Sequence, residues 1–263
     1  MMSSLRVMRY SVLSGAYDYT SIYTWKSWLG GWLVRVMSQV TFFALIGRLL
    51  GANQQIWFLL VGNAIMIAAM EGVFALNMVS WERSTGTLPL IAASPTSPVL
   101  VLASHGVYLV VDGTVSALGA LFLLGPVFGL PLPWPRVLLI IPLTILIAAS
   151  AYSLGTFLGG VVLGFRGLNS VVVNVGIVAL MALCGVNVPL DAYPGPIAWV
   201  SRFLPITHGL IAVRDVLAGD LGAAGLQALA EAGVATGWLV LCVLTFGRFV
   251  QRGRRNGSLE FAT

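Results

Sequence analysis

Glu71 and Asp112 are carboxylates set inside long apolar runs. A charge in such a run is costly unless it meets a partner, a cargo or a proton. If the runs are helical, Asn63, Ile67, Met70, Glu71, Phe74 and Asn77 share one broad face, and His105, Asp112, Ser116 and Gly119 share another. Two chemistries fit these carboxylates. One is contact with a translocated substrate or proton; the other is a buried ion pair, for which Arg35 stands at a matching depth to Glu71. The ion pair is the reading we favour.

The remaining chemistry-bearing residues form no constellation. His105 and His208 belong at different depths and make no metal site. Cys184 and Cys242 sit in apolar stretches and read as small buried hydrophobes. No GxSxG or HExxH run is present. The single lysine, Lys26, lies in a Trp-Lys-Ser run with no glycine-rich loop before it, so the chain lacks the phosphate cradle of a Walker A motif. The expectation is a chain with no catalytic residue, no metal ligand and no bound cofactor, which takes its energy from a partner or from an ion gradient.

Composition says what must position these groups. Hydrophobic residues are 58% of the 263, charged residues 9%, and the mean hydropathy is +0.94. Soluble domains carry about 25% charged residues, so lipid is the solvent. Runs near 30–51, 55–80, 97–130, 136–165, 168–190 and 224–250 are each long enough to cross a bilayer. The prediction is an all-α membrane protein of six transmembrane helices. Arg6, Arg9, Lys26, Arg83, Arg166, Arg248, Arg252, Arg254 and Arg255 outnumber Arg48, Arg136, Arg202 and Arg214 on alternate sides, which places both termini in the cytoplasm. The basic residues are scattered instead of clustered, which argues against a nucleic-acid partner.

Residues 1–28 read as an interfacial amphipathic helix. Leu5, Met8, Val12 and Ala16 recur at helical spacing, and Arg6 and Arg9 can reach lipid phosphates. No cleavable leader is recognisable there. Residues 29–263 form the transmembrane domain. Within it, the Pro- and Gly-punctuated but still greasy segment 189–223 is expected to dip into the outer leaflet as short re-entrant helices. Gly155 with Gly159 and Gly160 with Gly164 have the small-residue spacing of close helix packing. The inner loop from Ser80 to Pro95, SWERSTGTLPLIAASP, opens with charge, turns at Gly86 and Thr87, and has an apolar edge at Leu88, Leu90 and Ile91. Such an element suits docking into another protein's groove.

That loop carries a resemblance. Glu82, Arg83, Gly86, Thr87 and Leu88, ending in Ala93-Ser94-Pro95, resemble the coupling-helix region of type-2 ABC exporter permeases, including daunorubicin-exporter membrane subunits. Leu204, Pro205, Ile206, Thr207 and His208, followed by Ala212, Val213 and Arg214, resemble a second motif those permeases carry before their last span. The resemblance implies a multi-pass permease subunit in the cell (inner or plasma) membrane. It would pair with a second permease copy and export a hydrophobic or amphipathic small molecule, a drug or natural product. Separate ABC ATPase subunits would hold ATP and Mg. A cytoplasmic coupling helix would span 82–95, with Glu82, Arg83, Gly86, Thr87 and Leu88 as ATPase contacts. Span order in the family further implies a mostly apolar central cavity between protomers, lined by Asn63, Met66, Met70, Asn174, Ile177 and Met181. Two competing readings are export of a lipid-linked glycan and a gradient-driven transporter acting alone. The latter should carry inverted repeats with paired broken helices, and only one broken region, 189–207, is evident.

Overall fold

A computed structural model describes residues 4–84, 86–87, 98–162 and 167–256. Among them every regular element is helical. Five helical stretches are long and apolar enough to cross a membrane: Trp25–Leu49, Asn53–Met78, Ala103–Val127, Arg136–Val162 and Leu221–Thr245. The elements are α1 (Ser4–Ile22), α2 (Trp25–Leu49), α3 (Asn53–Val73), α4 (Ala75–Ser84), α5 (Pro98–His105), α6 (Val107–Val127), α7 (Ile140–Val162), α8 (Asn169–Leu183), α9 (Gly195–Ser201), α10 (Thr207–Ala218) and α11 (Leu221–Asn256).

Helix α3 is the axis of the bundle. Its sequence is apolar all round, and nearly every residue from Leu59 to Val73 is buried, as expected of a helix enclosed by others. Helices α2, α6 and α7 pack around it, α11 packs on α7, and α10 packs on α11. Lipid tails are as apolar as leucine, so close backbone approach must hold such a bundle together. Glycine supplies it. Gly72 on α3 and Gly155 on α7 face each other, and a Cβ on Gly155 would strike the Gly72 carbonyl. The expected small-residue packing at Gly155 is therefore an α3–α7 crossing, while Gly164 lies outside the described residues.

Several boundaries differ from those read in the sequence. The N-terminal helix ends at Ile22, not residue 28: Thr24 caps a new helix by accepting from the Ser27 amide, so Trp25 onward belongs to α2. The third run is broken at Gly106, where the Tyr152 hydroxyl and the Met78 sulfur leave no room for a side chain. The fifth expected span is α8, only 15 residues long, against the roughly 20 a bilayer crossing needs. It ends at Cys184, and the chain then turns at Gly185 with φ +75°. Segment 189–223 does hold two short helices, α9 and α10.

The two ends of the bundle are built differently. At one end α1 lies across α5, with Gly15 seated against the His105 carbonyl so closely that no Cβ fits. At the other, α9, α10 and the turn of 3-10 helix at Arg136–Leu139 close over the bundle.

Candidate functional site

The end carrying α1 contains a cavity of about 460 Å³. Its shape begins with a local irregularity. Residues Trp28–Leu33 at the start of α2 are wound as a π-helix, a form that appears mostly as single turns at functional sites. The wide turn points two indoles at α6: Trp28 Nε1 donates to Asp112 Oδ1 at 2.7 Å, and Trp32 Nε1 donates to Ser116 Oγ at 3.3 Å. Arg35, one turn on, stacks its guanidinium 4.6 Å from the Trp32 ring centroid. Tyr19 of α1 lies near Asp112, and burial beside that carboxylate pushes its phenol well above its ordinary range. Tyr19 and Tyr108 have ring centroids 5.0 Å apart, and Trp32 and Phe74 meet edge to face at 6.4 Å.

Glu71 lines this cavity and is 6% exposed. No hydrogen bond or ion pair reaches its carboxylate among the described residues. The ion pair with Arg35 favoured from the sequence is thus not formed: Arg35 lines the same cavity, but its guanidinium is taken by Trp32. Asp112, a second carboxylate, and Arg35 are both electrostatic neighbours of Glu71, with opposite sign.

Beside the cavity, His105 joins three elements. Its Nε2 lies 3.4 Å from Asp18 of α1 and its Nδ1 3.8 Å from Glu82 of α4. Glu82 is buried, and the Thr87 hydroxyl donates to both the Glu82 carbonyl and its carboxylate, so the chain folds back on itself across Gly86. Gly86 has φ +73° and is exposed, the left-handed geometry that glycine adopts at no steric cost. Of the residues expected from the resemblance to form a coupling helix, Arg83 lies in α4 by its backbone, whereas Leu88 and the rest of 82–95 beyond Thr87 lie outside the described residues.

The opposite end is a hydrogen-bonded junction. Buried Glu231 of α11 accepts from the Ile206 and Gly209 amides, both at 3.0 Å, and so caps α10. The Thr207 hydroxyl donates to the Ser201 carbonyl at 2.7 Å, and His208 Nδ1 meets Gln227 at 2.7 Å. Arg214 donates to the carbonyls of Gly185 at 2.9 Å and Phe58 at 3.1 Å while lying over the Phe58 ring. Pro205 is buried beneath them. Thr207, His208 and Arg214 thus hold three elements in register.

Two comparisons bear on identity. The family model of the ABC-2 type transporter matches residues 16–218. This chain belongs to the ABC-2 type transporter family. It is an ABC-type permease subunit of a multi-pass membrane protein family. No curated protein matches it by sequence.

In the ABC-2 permease fold, the residues grouped from the sequence as a cargo lining lie on two helices, α3 and α8. Asn63, Met66 and Met70 are buried in α3, and Asn63 donates to Asn187 at 2.9 Å. Asn174 is exposed on α8, with Ile177 and Met181 half-buried on the same helix. Helix α8 contacts α3, and Ile177 and Met181 pack against the apolar cluster that includes Met66 and Met70. Glu231 was not singled out in the sequence, though a lone acid in the last apolar run is itself a signal. The aromatic walls of the permease cavity were equally hidden, since they come from α1, α2, α3 and α6 together.

Proposed function

We propose that this permease is the membrane half of an ATP-driven exporter. Both termini face the cytoplasm, a second copy or related subunit completes the pathway, and separate ATPase subunits supply the force at the segment that begins with Glu82. Helix α8 counts in this reading as a short fifth crossing. The cargo is a hydrophobic or amphipathic small molecule.

The observation that carries the coupling assignment is His105, placed between Asp18 and Glu82. A histidine can engage one carboxylate through each ring nitrogen. Displacement at Glu82 is then passed to the N-terminal helix and to the helix that continues into α6. The α1 and α11 helices both contact α5, which supports placing the two termini on one side.

The test is reconstitution of the chain with its ATPase in vesicles. Replacing Gly86 by valine or Glu82 by glutamine should lower cargo moved per ATP hydrolysed while leaving membrane insertion intact. Unchanged transport in both variants would remove the assignment of this segment. Pumping by the chain alone, driven by a proton gradient, would replace the exporter reading altogether.

A further inference from the structure

We propose that the cavity between α1 and the bundle is a binding site for a hydrophobic organic monocation, with Glu71 as its charge partner. This deepens the exporter reading by naming a ligand class and a place for it, and binding itself needs no ATPase.

The Glu71 carboxylate is nine-tenths buried and unpartnered, and it faces the cavity. A buried carboxylate without a counter-ion is expensive to ionise, so a cation entering the cavity is what favours its charged form, where water or an anion does not. The electrostatic balance has the same sign. Three carboxylates, Asp18, Glu71 and Asp112, line the space against one guanidinium, that of Arg35, and the His105 ring, which lies against Asp18. Asp112 is held in place by Trp28, so a second carboxylate stays at the cavity wall.

The walls fit the rest of the ligand. Tyr19, Tyr108, Trp32 and Phe74 present ring faces and edges, and cations are attracted to aromatic faces within about 6 Å of the ring centre. A volume of about 460 Å³ lies inside the roughly 300–1,000 Å³ of small-molecule sites. An anion would meet three carboxylates.

Equilibrium dialysis of the purified chain in lipid nanodiscs, with empty nanodiscs subtracted, tests this using tetraphenylphosphonium and its anionic isostere tetraphenylborate. Saturable uptake is expected for the cation and not for the anion. Glu71→Gln, which keeps shape and removes charge, should weaken cation binding about tenfold or more. Phe74→Leu should weaken it less. Size-exclusion profiles matching wild type keep either variant interpretable, and Asp112→Asn, which can still accept from Trp28, serves if Glu71→Gln does not fold. Cation binding that is non-saturable, unchanged in the charge-removing variant, or equalled by the anion overturns the site. Saturable binding without ATP-driven transport in the vesicles would sink the exporter reading and leave the site standing. Transport without cation binding would do the reverse.

Discussion

The Glu231 carboxylate holds Ile206 in a left-handed backbone conformation. Ile206 has φ +76°, a region that a β-branched residue adopts only under constraint. Its amide and that of Gly209, three residues on, are the two donors that Glu231 satisfies. The carboxylate thus fixes both the strained residue and the first turn of α10.

Replacing Glu231 with alanine should therefore lower stability by about 2–6 kcal/mol, since two buried amides lose their acceptor at about 1–3 kcal/mol each. Glu231→Gln keeps one acceptor oxygen and should fall between alanine and wild type. Thermal unfolding in detergent checks the order; equal stability of all three would contradict the cap.

At the α3–α7 crossing, Gly155→Ala puts a methyl group against the Gly72 carbonyl. Overpacking of this kind costs about 1–3 kcal/mol. Gly119 on α6 has nothing within 4 Å, so Gly119→Ala should be neutral or gain up to about 1 kcal/mol of helix propensity. Paired melting curves of the two variants separate packing from propensity.

Arg214 reaches two helices' ends through separate guanidinium nitrogens. A lysine ammonium cannot reproduce that fork. Arg214→Lys should lose about 1–3 kcal/mol of stability, and Arg214→Met more, because the Gly185 and Phe58 carbonyls then both lack the donor. Denaturation midpoints read this directly.

The link through His105 makes a different prediction, one about coupling and not about stability. His105→Ala should lower ATP-driven transport severalfold in vesicles with the ATPase, and Asp18→Asn should do so less. Combining His105→Ala with Asp18→Asn should add little, since partners in one network are not additive. Full additivity would mean that the two act separately.

The sequence made the membrane class plain, because residues such as those from Leu59 to Val73 leave no polar face for water. It also singled out the stretch holding Glu82, Gly86 and Thr87, in which the Thr87 hydroxyl meets Glu82 five residues back. What it could not convey depended on winding and on distant partners. Arg35 and Glu71 match in depth, yet a π-turn swings Arg35 onto Trp32. Gly106 breaks a run that reads as continuous because Tyr152, far along the chain, occupies the space. Glu231 has backbone amides for partners, and no complementary side chain in the sequence announces them. The brevity of α8 was masked by apolar residues such as Val186 and Val188, which follow the last helical turn without extending it.

The seat of Gly15 on the His105 carbonyl has a mechanical corollary. With no side chain between them, backbone rests on backbone, and neither helix can roll or slip past the other by a rotamer change. The N-terminal segment is accordingly an outrigger braced on the backbone just ahead of the helix break at Gly106, so that a tilt of either helix bears directly on the other.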